Sequence, residues 1–199
     1  PRSLLSYYRA GVIVGAACEA GEVFRKVSEV YRTKHRSYEK AAAAMQTWAM
    51  KSLARFYDYL EIQPLCNNRF MIGDSDGTAV EEKDLIQLNR LVLALGDAAG
   101  RPVCATCDAH FVEEKDKVLR QILTADMFDD YANQPELYLR TTDEMLSEFA
   151  YLEDRVQEVV IDNPRRIAER VQPDMQPFPE GFFPPVLEHA ARDVEQTTW

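Results

Sequence analysis

The sequence predicts an α/β protein, with about three parallel core strands covered by helices. Two observations carry that reading. Short apolar, β-prone runs recur at 12–17 (VIVGAA), 58–63 (DYLEIQ) and 102–107 (PVCATC). Between them lie longer stretches of helix-forming composition, notably 37–57 and 79–99. Strands separated by helices need crossover connections, and crossovers make a parallel sheet. Three strands do not close a barrel of the (β/α) type, which needs roughly seven or eight. The sheet is therefore a small open one or part of a barrel.

Residues 2–10 carry Leu4, Leu5 and Tyr8 near helical spacing, and Gly11 follows as a stop. The run at 12–17 reads as a buried strand. EAGEVFRKV (19–27) opens a short helix, and 37–57 reads as one long helix because alanine and unbranched side chains dominate it. Pro64 ends the second strand. CNNRFMIGDSDGT (66–78) reads as a loop, with the DSD at 74–76 a solvated turn. Residues 79–99 place Leu85, Leu88, Val92 and Leu95 along one helix face and end at Gly100. After the third strand, 113–125 is helical. LYLR (137–140) is a short strand, followed by a helix with Thr141 and Glu144 at capping-box spacing. Residues 153–171 are mostly helical with a break near Asn163–Pro164, whose neighbouring arginines read as solvated. Five prolines within 172–185 make an extended connector, and 186–199 is acidic and read as helical.

The 199-residue chain is 46% hydrophobic and 28% charged, an ordinary globular balance. Its net charge of −10 gives no overall basic field for a nucleic-acid backbone. Four cysteines (Cys18, Cys66, Cys104 and Cys107) without an apolar leader point to a reducing, cytoplasmic setting. No apolar run approaches the roughly 18 residues that span a bilayer. The chain opens at Pro1 without an initiator Met and reads as a segment of a longer polypeptide.

In parallel α/β architectures, functional side chains gather at the C-terminal ends of strands. The first strand ends in Cys18, with Glu19 and Glu22 beyond it; the second ends near Gln63; the third ends in Asp108 and His110. Cys, Asp and His are zinc-type ligands. Each also has a structural reading. Cys18 suits a small buried hydrophobe, Asp108 a turn or N-cap, and His110 a loop. Cys104 and Cys107 lie three apart, which points them to opposite faces of a strand and argues against a shared clamp.

Five blocks carry a resemblance: GAACEAGEVF (15–24), FYDYLEIQP (56–64), GRPVCATCDAHFVEEKDKVLRQIL (100–123), LYLRTTDEMLSEFAYL (137–152) and VVIDNPRRIAE (159–169). Together with FPEGFFPPVLEHA (178–190), they resemble, in order, the later part of the PHP domain of PolC-type bacterial DNA polymerase III α subunits. The resemblance implies a partial (β/α)7 PHP-type barrel followed by a helical C-terminal segment. Residues 1–125 would be the C-terminal portion of the barrel, 126–171 would complete the PHP region, and 172–199 would link to the polymerase core. It implies zinc or manganese at a PHP site, with Cys18, Asp108 and His110 as the ligands this chain retains. It also implies a parent that copies DNA with magnesium, working with DNA and replisome subunits and no membrane. The family's opening HxH block, its next histidine and glutamate blocks, its exonuclease and its palm aspartates have no counterpart here. No catalytic residue is therefore assigned, and the chain alone is expected to be silent. Two further readings are a stand-alone PHP-type phosphoesterase and a module that self-associates through the edge of strand 12–17.

Overall fold

Helix α5, Glu82–Ala99, packs against three of the helices that precede it and against both strands. Its buried stripe holds Leu85, Leu88, Leu91, Val92 and Leu95, which includes every position the helical periodicity assigned to the core face. Gly100 closes it in the left-handed conformation (φ 67°), which glycine adopts without strain. The computed structural model describes residues 2–73, 75, 77–127, 135–176, 178 and 181–182. The chain divides into two units, Pro1–Glu169 and Arg170–Trp199. The helix expected at 186–199 lies outside the described residues, as do Asp74 and Asp76 of the expected DSD turn.

The first unit begins with α1, Arg2–Tyr7, and α2, Glu22–Thr33. Val23, Phe24, Val27 and Tyr31 of α2 are buried in the core, a face with i, i+4, i+8 spacing. The helix expected over 37–57 is two: α3, Tyr38–Met45, and α4, Trp48–Arg55. Thr47 divides them. Its Oγ1 donates to Ala44 O at 2.8 Å and accepts from Met50 N–H, so the hydroxyl ends one helix and caps the next.

The sheet pairs β1, Leu60–Ile62, with β2, Val103–Ala105, in parallel, with Glu61 opposite Cys104. The strand expected at 12–17 shortens to a single parallel bridge, Gly15 to Tyr59, held by Asp58 N–H to Val14 O at 2.7 Å and Ala16 N–H to Tyr59 O at 3.0 Å. The close approach needs glycine, because a Cβ at residue 15 would fall 2.2 Å from the Tyr59 ring. The expected order and direction of the three runs hold, while the fold is richer in helix than three full strands imply.

Between the strands, Leu65–Met71 winds into a 3-10 helix where a loop was expected, and it buries Asn67, Asn68 and Met71. After β2 come a 3-10 turn, Glu114–Asp116, and α6, Lys117–Thr124. The strand expected at 137–140 shortens to a bridge between Tyr138 and Phe111. Then follows α7, Thr142–Glu148, with the expected capping box: Thr141 N–H donates to Glu144 Oε2 at 2.6 Å, and Glu144 N–H to Thr141 Oγ1 at 3.3 Å. A 3-10 segment, Ala150–Arg155, turns sharply at Glu153 (φ 55°). A π-helical turn, Glu158–Asp162, then leads directly into α8, Asn163–Ala168. The break expected near Asn163–Pro164 thus takes the form of a register change. Pro164 has no N–H to give, and the wider π turn before it absorbs the missing bond. Asn163 is buried and donates to Val103 O at 2.9 Å, tying α8 to β2.

Candidate functional site

Parallel pairing sends the C-terminal ends of the 12–17 run, β1 and β2 to one rim. Asp108 sits three residues beyond β2 in the left-handed region (φ 50°), a conformation Asp tolerates better than most residues and one common at functional sites. Its Oδ1 lies 3.4 Å from His110 Nε2, and both side chains are partly exposed. The backbone holds this pair from below: His110 N–H donates to Leu137 O at 2.7 Å, and Asn67 Nδ2 donates to Cys107 O at 3.3 Å.

Cys18 follows the bridge at Gly15 and is half-buried. Burial pushes its thiol up, the Ala20 backbone N–H opposes that, and the charges of Glu19 and Asp108 push it further up. Cys18, Asp108 and His110 share a rim, but only Asp108 and His110 are in contact. Among the described residues, no three His, Cys, Asp or Glu side chains form a set that could hold a metal ion. Carboxylate and imidazole are donor types that zinc and manganese both accept, and here they amount to one pair. The remaining ligands of a full shell are not supplied by these three residues.

Periodicity and motif did not single out Glu61. It stands in the middle of β1, where burial pushes its carboxyl up; the hydrogen bond from Gln63 Nε2 at 3.3 Å opposes this, and the charges of Asp108 and Glu19 reinforce it. Its signal in the sequence was one carboxylate inside an otherwise apolar strand. Cys104, across from it, is buried, and burial followed by the Glu61 charge pushes its thiol up to about 12. All four cysteines are free, and Cys104 and Cys107 form no clamp.

Arg140 was also passed over. Its side chain is buried, with Nε 3.3 Å from Glu148 Oε1, Nη2 donating to Cys66 Sγ at 3.0 Å, and the guanidinium 4.4 Å above the Tyr138 ring. This cluster ties the 3-10 segment Leu65–Met71 to the Tyr138 bridge beneath His110. An open groove of about 1100 Å3 runs along α2, α4 and the 3-10 segment, past Arg25, Ser28, Met50 and Phe70. It reaches Glu19 but neither Asp108 nor His110.

A parallel α/β layer with an Asp–His pair at its rim defines a class of site, and sequence comparison gives the particular relatives. The chain is 41% identical over 200 residues to DNA polymerase III PolC-type of Clostridium perfringens and 44% identical over 200 residues to that of Caldanaerobacter subterraneus subsp. tengcongensis. It is 31% identical over 205 residues to the PolC-type polymerase of Halalkalibacterium halodurans. Each comparison covers 100% of this chain and 13% of the relative, so the chain spans about an eighth of their length. No family model matches the chain. The resemblance to PolC-type polymerases read from the sequence therefore holds from end to end. Among the described residues, no helix is long and apolar enough to cross a membrane.

Proposed function

We propose that the chain is a segment of a PolC-type replicative DNA polymerase III and forms the later part of its PHP domain. The observation that carries this reading is the similarity over the whole chain to proteins named DNA polymerase III PolC-type, at 31–44% identity. The parent joins deoxynucleotides to a primer on a DNA template, with magnesium at a polymerase site outside these residues. Its partners are DNA and the replisome subunits, and its setting is cytoplasmic. A net charge of −10 agrees with a segment that leaves the grip on DNA to other parts.

Within that reading, Asp108 and His110 begin a zinc or manganese site at the β2 rim, and Cys18 stands beside them. The left-handed backbone at Asp108 turns its carboxylate toward the imidazole. When bound, the metal supplies a Lewis acid at this rim. The residues themselves hold the anionic and imidazole donors at a fixed spacing on a rigid strand end. The stretch 172–199 is the connector toward the polymerase core.

The test compares the parent with the isolated chain. The parent is expected to extend a primer, and the isolated chain neither to extend a primer nor to hydrolyse a phosphoester. Phosphoester hydrolysis by the purified chain, abolished in Asp108→Ala, would overturn the reading in favour of a self-sufficient phosphoesterase.

A further inference from the structure

Helix α6 is eight residues long, and Thr124 is its one buried residue. A helix of that length is marginal in water on its own, so packing has to hold it. The stripe it would pack with faces outward. Val118, Leu119, Ile122 and Leu123 form two i, i+4 pairs on one face, and each is more than half exposed, Leu123 at 79%. Val112 before the helix and Met127 after it are exposed too and lengthen the apolar surface.

This face is presented from a fixed base. Leu139 N–H donates to Phe111 O at 3.0 Å, which ties the stretch before α6 to the Tyr138 bridge. Glu113 N–H donates to Asp116 Oδ2 at 3.1 Å, part of the capping box on the 3-10 turn that runs into α6. An apolar face in water carries a hydration cost that a partner removes by covering it. A face already held in place loses little to ordering when that partner arrives.

We infer that the α6 stripe is the seat for another stretch of the same parent polypeptide, one that offers an uncharged, aliphatic or aromatic surface. This rests on the reading of the chain as a segment of a PolC-type polymerase. The relatives match all of this chain with 13% of their own length, so about seven-eighths of such a polypeptide lies outside these residues. A separate protein is the poorer fit. A stable interface between free partners takes roughly 20–30 residues a side. The stripe and its two extensions bring far fewer apolar side chains than that. A tethered stretch needs fewer contacts, because the tether holds it at a high effective concentration. The net charge of −10 also works against a second copy of this chain.

The experiment uses the purified parent polymerase without other proteins. Hydroxyl-radical footprinting of the unaltered parent reads whether the stripe is covered. Leu119, Ile122 and Met127 are expected to label as slowly as Leu88 and Leu91, which are fully buried in the core. Labelling at the rate of a free synthetic peptide of residues 117–127 overturns the inference. A second form of the parent, with the photoreactive amino acid benzoylphenylalanine in place of Leu123, reads what covers it. Illumination is expected to give a product of monomer size in which position 123 is joined to a peptide outside the 199 residues. A cross-link between two copies, or one confined to the 199 residues, overturns the inference. Should the photoreactive form fail to extend a primer, footprinting of the unaltered parent decides. Primer extension by the unaltered parent separates the two readings. Extension with an uncovered stripe overturns this inference and leaves the polymerase reading standing, whereas a parent that extends no primer overturns the polymerase reading.

Discussion

Asp84 is a single residue that fixes how the core begins. Its Oδ2 accepts from the N–H groups of Val80 and Glu81 at 2.8 and 3.2 Å, and its Oδ1 accepts from the Tyr31 hydroxyl at 2.7 Å. Burial alone would raise its carboxyl, but the hydrogen bonds from Val80, Tyr31 and Glu81 outweigh it and hold the carboxyl below the usual range. A carboxylate with a depressed native pKa stabilises the fold fully above its unfolded value, about 3.9, and loses that contribution as pH falls through the native value. Asp84→Asn should therefore lower stability at pH 7 by about 1–3 kcal/mol and flatten the loss of stability below pH 4, read by urea unfolding at both pH values. An acid dependence as steep as that of the unaltered chain would refute the assignment. Gly96 makes the complementary case through space. A Cβ there would lie 2.5 Å from Val103 Cγ2 and 2.9 Å from Arg101 O, where helix α5 meets β2. Gly96→Ala is expected to cost about 1–3 kcal/mol despite the gain in helix propensity, because the strand must shift. An unchanged thermal midpoint would show that the strand yields freely.

At the scale of elements, the sequence was most legible where one face repeats. Leu85, Leu88, Val92 and Leu95 gave α5, and the cap pair Thr141 and Glu144 gave the start of α7. The strands were located but overextended, because apolar β-branched runs show burial and do not show how many residues find a hydrogen-bonding neighbour. The run at 12–17 contacts β1 only around Gly15. The division of 37–57 was missed because alanine composition outweighed one threonine, whose hydroxyl competes locally with the helix backbone. The site was partly legible for a similar reason. Asp108 and His110 stand at a strand end and two residues apart, so spacing found them. That Glu61 stands opposite Cys104 follows only from the β1–β2 register, which no local pattern encodes. The cap offers a direct measurement at this scale. Thr141→Ala removes the acceptor for Glu144 N–H and should cost about 1 kcal/mol. Thr141→Ser, which keeps the hydroxyl, should recover most of that loss in urea unfolding. Equal losses in the two variants would mean that the hydroxyl is not what matters.

At the scale of the whole molecule, helix α6 stands apart from the pattern that built the core. Val118, Leu119, Ile122 and Leu123 repeat at i, i+1, i+4 and i+5, the stripe of a helix that packs on something, yet each is more than half exposed. Val112 before the helix and Met127 after it extend the apolar surface. A patch of this kind marks a contact surface, and in solution the isolated chain offers it a second copy. The net charge of −10 opposes such pairing through repulsion, which salt screens. Light scattering on the isolated chain should therefore show association that grows with protein concentration and is stronger at 0.5 M than at 0.05 M salt, these concentrations bracketing about a threefold fall in repulsive range to a few ångströms. Ile122→Glu with Leu123→Glu should return the chain to a monomer, because two charges on the stripe cannot be buried against a second copy. Association that persists in this double variant would move the contact to the edge at 12–17, where Val12 is also exposed. A monomer at every concentration and salt would show that the α6 stripe does not bind its own kind.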